Sequence, residues 1–284
     1  MSFLTDPFSF EFVQRAFWGG SLVAMLCSIA GTWVIVRGMA FLGEALAHGM
    51  LPGVALATVL GLPVLLGAAA SAVVMSLGIG ALQRRGRLSY DTSIGLLFVG
   101  MLALGVIVIS HAGSFATDAT AILFGDILAI GVDDLVVLAV AVALGLLTAV
   151  CAHRSLVALA IDERVAHVLG LRPRLAQTAL VGLVTLAVVA SYQAVGSLLV
   201  VGLLVAPAVA ARPWTHRIPT TMALAAAIGV AAVFAGLVIS WHAATAAGAT
   251  IAAAAIAAAG VSAVLRAVLT TLRRRVAPAV PVPL

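Results

Sequence analysis

The chain contains no lysine. It therefore has no Gly-rich phosphate loop of the Walker type, whose lysine reaches the nucleotide phosphates. If ATP drives this protein, a separate chain must hydrolyse it. No catalytic residue and no cofactor bound by this chain is expected. Charge of either sign is scarce, at 9% of 284 residues, where soluble domains carry roughly 25%. No stretch is polar enough and long enough for a separate soluble domain. Cysteine is limited to Cys27 and Cys151, both inside apolar runs, which suits packing better than a disulfide or a ligand pair. Asp6 and Glu11 precede the first apolar run where a secretory leader would carry basic residues, so no such leader is expected.

What remains is 64% hydrophobic. Apolar runs cover residues 17–36, 41–62, 64–82, 94–110, 135–152, 175–194, 195–211, 222–240 and 243–269. Most are long enough to span a bilayer as helices. The expected fold is an all-α polytopic membrane protein with about nine spans. Eight is the alternative, because two pairs abut without a polar linker, at Gly61-Leu62-Pro63 and at Val195-Gly196. Each junction reads as a tight turn or as a break within one irregular segment.

The arginines test the count. With Arg37 cytoplasmic and the spans alternating, Arg84, Arg85, Arg87, Arg154, Arg164, Arg172, Arg174, Arg212, Arg217, Arg266 and Arg273 to Arg275 share that side, and Arg15 alone falls outside. This is the positive-inside pattern, and it makes the high pI a topology signal rather than a nucleic-acid surface. Residues 1–16 read as an outer interfacial segment, 17–272 as the membrane domain with a cytoplasmic C-terminal end, and the proline-rich 273–284 as a cytoplasmic tail. Trp18, Trp33, Trp214 and Trp241 fall near the proposed interfaces, as anchoring aromatics do. Asp91-Thr92 reads as a helix start with the aspartate as cap.

Glu44 is the one carboxylate set inside a long apolar segment, and His48 follows four residues later, on the same helical face. An ionisable group within a span is costly and points to function. Counted from Arg37, His48 would lie roughly 16 Å up a helix, near mid-membrane. Carboxylate and imidazole together suit a divalent transition metal. The alternative is a polar pair that ties two helices together. Pro52-Gly53, one turn on, is placed to bend the helix and free carbonyls.

Residues 153–174 form the second informative stretch. Leu159, Val165, Ala166 and Leu169 alternate with Asp162, Glu163, Arg164 and His167, and Gly170 sits as a C-terminal stop. This predicts a short amphipathic helix on the arginine side, resting on lipid or docking a partner protein.

These residues resemble the membrane permease subunits of metal-ion ABC transporters, the zinc, manganese and iron uptake group. Leu42-Gly-Glu-Ala-Leu-Ala-His-Gly-Met-Leu-Pro-Gly-Val-Ala-Leu56 is similar to the family pattern of an acidic residue, Ala-Leu-Ser-His, then Leu-Pro-Gly-Val. Asp91-Thr-Ser-Ile-Gly95, Leu123-Phe-Gly-Asp-Ile-Leu128 and the segment from Val195-Gly-Ser to Ala-Pro-Ala208 resemble further family blocks in the same order. The resemblance implies an importer in a bacterial inner membrane, with Glu44 and His48 as metal-pathway residues. It implies that Asp162, Glu163, Arg164, Ala166 and Gly170 belong to a cytoplasmic coupling helix set into the ATPase. Implied partners are cytoplasmic ABC ATPase subunits, an external metal-delivering solute-binding protein, lipid and a second permease copy; nucleic acid is not one. Zinc is favoured over manganese because histidine suits it better. A carrier of metal chelates or small organic solutes, or an ion-coupled secondary carrier, are the alternatives. The pattern is departed from in three places: Glu44 stands where Asp is usual, Arg164 where an acidic residue is usual, and Ala244 and Ala246 where Asp and Pro are frequent.

Overall fold

The computed structural model describes residues 6–84, 89–112, 125–162, 166, 168 and 170–276. The first span, α1 (Glu11–Val36), is the axis of the bundle, and 78% of its apolar window is buried by other helices. Lipid supplies no hydrophobic force between helices, so close contact depends on small residues. α1 has them where neighbours cross. A Cβ on Gly31 would overlap the Leu204 carbonyl, and one on Gly20 would lie 2.8 Å from Val233.

The helices that follow are α2 (Phe41–Gly49), α3 (Leu51–Leu60), α4 (Val64–Arg84), α5 (Tyr90–Ala112), α6 (Val132–Cys151), α7 (His153–Ile161), α8 (Pro173–Ala211), α9 (Ile218–Ala243) and α10 (Ala247–Val276). Nine stretches among the described residues are long and apolar enough to cross a membrane. α2 and α3 together make one of them, and α8 contributes two.

Both uncertain junctions resolve. At Gly61 the chain takes φ 64°, ψ 25°, and the Leu62 amide donates back to the Ala57 carbonyl at 2.9 Å. That is a glycine-terminated helix followed by a stop at Pro63, hence a tight turn. At Gly196 the backbone takes φ 72°, ψ 166° inside the 39-residue α8. A straight helix of that length would reach about 58 Å. Instead both of its ends meet the C-terminal end of α1: Gln177 accepts from Arg37 at 3.4 Å, and Arg212 donates to the Ile35 carbonyl at 3.4 Å. α8 is therefore a hairpin folded at Gly196. The turn is buried, with Ala194, Val195 and Ser197 each at most 5% exposed. Gly125, at φ 59°, lies so close above it that a Cβ there would strike the Gly196 amide nitrogen.

The same contacts gather the arginines. Arg212 and Arg217 line one cleft at the end of α1, Arg37 lies at that same end, and Arg266 lies over the Trp214 ring at 5.7 Å. α4 runs antiparallel to α2 and α3, which carries Arg84 back toward Phe41. Arg15 stands apart, paired with Glu11 at 3.8 Å. Arg85 and Arg87 lie outside the described residues, as does the tail beyond Val276.

Two local expectations change. α5 is capped by Ser89, whose hydroxyl accepts the Thr92 amide at 3.1 Å; Asp91 lies in the first turn instead. Residues 6–9 form a short 3-10 turn whose Phe8 stacks on Phe234 at 5.2 Å, and Phe10 meets Trp241 at 5.2 Å. The N-terminal aromatics are thus held against α9.

Candidate metal pathway and coupling region

α2 is short because of Pro52. Proline has no N–H, so the His48 carbonyl loses its helical donor, and the helix is interrupted at Met50. Met50 keeps φ −79°, ψ −19°, so the break loosens the helix without reversing it. The neighbouring Gly49 carbonyl accepts a hydrogen bond from Ser71 of α4 at 2.8 Å. Gly53 and Gly67 then let α3 and α4 touch backbone to backbone.

Leu42, Gly43, Ala45, Leu46, Ala47 and Gly49 form the buried face of α2. Phe41, Glu44 and His48 form the opposite stripe. The His48 Nδ1 faces Glu44 Oε1 at 3.5 Å, and the side chains are 25% and 39% exposed respectively. Nδ1 is closed to solvent and makes no hydrogen bond of regular geometry. Phe98 of α5 flanks the pair, 5.8 Å from the imidazole centroid and 5.4 Å from Phe41. The pair thus opens on one side and is walled by an aromatic ring on the other. Gly38 takes φ 68° and the chain turns before α2 begins at Phe41. His48 therefore lies roughly 10 Å along its span, nearer one third of the way than the middle.

Two donors do not close a coordination shell, since structural zinc takes four protein ligands. Among the described residues no cluster of three His, Cys, Asp or Glu forms. His242, at the end of α9, places Nδ1 2.8 Å from the Val238 carbonyl. Ala244 adopts the left-handed φ 51° at the helix end, a conformation that costs a non-glycine residue energy. Ser240 holds the turn by donating to the Thr245 carbonyl at 2.6 Å.

The coupling stretch is two pieces rather than one amphipathic helix. α7 starts one residue after α6 and buries Leu156, Ala158 and Leu159. It stops at Asp162, which is extended at φ −163°, ψ 141°. The chain is helical again at Ala166 and Val168. Gly170 takes φ 69°, and the Leu171 amide bonds the Ala166 carbonyl at 3.0 Å, the helix stop read from the sequence. Ala166 is fully buried, whereas Ile161 and Val168 are 73% and 87% exposed. Glu163 and Arg164 lie outside the described residues.

Arg37 connects the two regions. Its guanidinium donates to the Leu159 carbonyl in the last turn of α7 and to Gln177 in the first turns of α8. It stands four residues before α2. Sequence gave Arg37 only as a boundary mark; partners more than a hundred residues away leave no local signal. Phe98 and Ser71 were missed for the same reason.

Comparison with known proteins identifies the family. The ABC 3 transport family model matches residues 9–266. The manganese transport system membrane protein MntC of Halalkalibacterium halodurans is 34% identical over 87% of this chain and 85% of its own length. The chelated iron transport system membrane protein YfeD of Yersinia pestis is 30% identical over 87% and 83%. The solved structure of PsaBC from Streptococcus pneumoniae in complex with Fab superposes with a TM-score of 0.80 at 31% identity, covering 92% of this chain and 94% of that one. With nine candidate spans in the described residues and a family match over nearly its whole length, the chain belongs to the ABC 3 transport family.

Proposed function

We propose that this chain is the membrane permease of an ATP-driven importer of divalent metal ions. It would sit in a bacterial inner membrane with its arginine-rich end and C-terminus in the cytoplasm. The observation that carries the reading is the Glu44–His48 pair, an oxygen and a nitrogen donor 3.5 Å apart on the exposed stripe of a membrane helix. A shell with two protein donors leaves positions for water or for donors from a second copy, and it holds an ion loosely enough to release it. Metal is cargo here, and the residues guide it.

ATP enters through partner ATPase subunits. Ile161 and Val168 are strongly exposed apolar residues beside the Asp162 break, a surface suited to burial against another protein. Asp162, Glu163, Arg164, Ala166 and Gly170 make up this docking stretch. Its motion would reach α2 through Arg37. A solute-binding protein outside the cell delivers the ion, and two permease copies form the conduit.

The imidazole favours zinc over manganese. Manganese or iron is the second reading, favoured by the names of the relatives. One experiment addresses both. The permease is reconstituted in vesicles with its ATPase and binding protein, and uptake of zinc, manganese and iron is compared. Zinc uptake should lead, and Glu44→Gln with His48→Ala should reduce it at least tenfold, since each lost ligand contact is worth over 1 kcal/mol, roughly tenfold per 1.4 kcal/mol. Manganese or iron uptake in the same assay would reassign the cargo. Full uptake by the double variant, at normal assembly, would overturn the site.

A further inference from the structure

A cleft of about 120 Å³ lies between the C-terminal end of α1 and the turn joining α8 to α9. Its mouth carries Arg212, His216 and Arg217, all exposed, and its wall includes Ile35, Val36 and Ala208. At roughly 30 Å³ per liquid water, the space accepts about four waters or one phosphate group. Arg212 donates to the Ile35 carbonyl at 3.4 Å. No other partner of its guanidinium, and none of Arg217's, occurs among the described residues. The Thr215 and Thr221 hydroxyls are 2.6 Å apart and bond each other, which leaves the two guanidinium groups as the donors with capacity to spare.

Among the described residues no carboxylate pairs with Arg212 or Arg217. No carboxylate lines the cleft. Beyond Glu163 the sequence contains no Asp or Glu at all, although arginine recurs at 164, 172, 174, 212, 217, 266 and 273–275. The cleft carries exposed arginine beside a lining that mixes Thr32, Thr215 and Thr221 with Ile35, Val36 and Ala208, and it lies at the arginine-bearing ends of the spans. Trp214 stands beside it, 40% exposed and with its indole N–H donating to Ser262 at 2.8 Å. An aromatic half-exposed next to arginine at a span end marks a membrane interface. The matching ligand is a phosphodiester with an apolar tail, because guanidinium groups bind phosphate oxygens by paired, charge-assisted hydrogen bonds.

We propose that this cleft binds the headgroup phosphate of an anionic phospholipid, with Arg212 and Arg217 as the phosphate donors. Cytoplasmic leaflets supply such lipids, and each arginine near them strengthens binding about fivefold. The site is separate from the Glu44–His48 pair, and the inference stands whichever ion is carried.

The test uses the full-length permease in neutral detergent. Its melting curve is followed while dioleoylphosphatidylglycerol, dioleoylphosphatidylcholine or inorganic phosphate is added, and native mass spectrometry counts retained lipid. Phosphatidylglycerol should raise the melting temperature and remain bound, and phosphatidylcholine should do neither. Arg212→Gln with Arg217→Gln should weaken the phosphatidylglycerol response roughly thirtyfold. Arg217→Gln alone removes no intramolecular bond described here and should weaken it about fivefold. Arg172→Gln, outside the cleft, should leave it unchanged. Equal responses to both lipids, or an unaltered response in the double variant, would overturn the proposal. An equal response to inorganic phosphate would assign the cleft to a soluble anion and also overturn it. So would loss of a co-expressed ATPase from the double variant with no response to phosphatidylglycerol in the parent, which would make the cleft a protein-docking face.

Discussion

Replacing Gly53 by alanine sets two effects of opposite sign against each other. Alanine in a helix is favoured over glycine by roughly 0.5–1 kcal/mol, so propensity alone makes Gly53→Ala stabilising. The seam between α3 and α4 opposes it. A Cβ at position 53 would lie 2.6 Å from Ser71 Cβ and 2.8 Å from the Gly67 carbonyl carbon, and would overlap the Gly67 oxygen. Real Cβ atoms almost never approach within 3.0 Å. The obstacles are mostly backbone, so α4 must move as a body. Overpacking of this kind costs about 1–3 kcal/mol. Moving α4 also strains the Ser71 bond to the Gly49 carbonyl, worth about 1 kcal/mol. The net expectation is a loss of about 1–3 kcal/mol, read as a melting temperature several degrees lower in detergent. Gly182→Ala is the control: nothing lies within 4 Å of the added carbon, and it should be neutral or stabilising. Gly53→Ala should also lower metal uptake, because the seam begins at the residue after His48. If Gly53→Ala melts at or above the parent temperature, the reasoning about this seam is wrong.

Arg37→Met should destabilise the protein by about 2 kcal/mol, the scale of a buried hydrogen bond to a charged donor, since it leaves the Leu159 carbonyl and Gln177 without their partner. In vesicles it should leave ATPase activity running while uptake falls, a separation measured by the ratio of ions moved to ATP consumed; an unchanged ratio would deny Arg37 a linking role. Gly196→Ala should cost about 1–3 kcal/mol, because φ 72°, ψ 166° is a region reserved almost entirely for glycine. Its melting curve should fall accordingly, and an unshifted curve would mean that the α8 hairpin does not depend on that conformation.

Much of the fold was legible because membrane spans announce themselves by length and composition. The nine apolar runs correspond to the nine spans of the described residues. Arginine placement had already argued for that count, since one span fewer scatters the arginines to both sides. What sequence could not separate was a turn from a break at Gly196, where the deciding facts are the distant contacts of Gln177 and Arg212 with the end of α1. The Glu44–His48 pair was readable from spacing, and its side chains lie 3.5 Å apart. Its position along the span depends on Gly38, which turns the chain before α2 starts. The cap of α5 is Ser89 rather than Asp91, because serine suits that position as well as aspartate does. The 153–170 stretch looked like one helix because its apolar spacing runs through Asp162, where the backbone extends instead.

The α8 hairpin bears on how the protein is made. Its two arms, Pro173–Tyr192 and Ala194–Trp214, are separated by no polar loop. The reversal between them is buried under Gly125. A lone first arm leaving the translocation channel would expose the irregular backbone at Gly196 to hydrocarbon, with nothing to satisfy its amide and carbonyl groups. The arms would therefore enter the bilayer together, as a pair, with the arginines at both feet left on one side. The segment that covers the reversal lies earlier in the chain, so its cover has already left the ribosome when the hairpin follows.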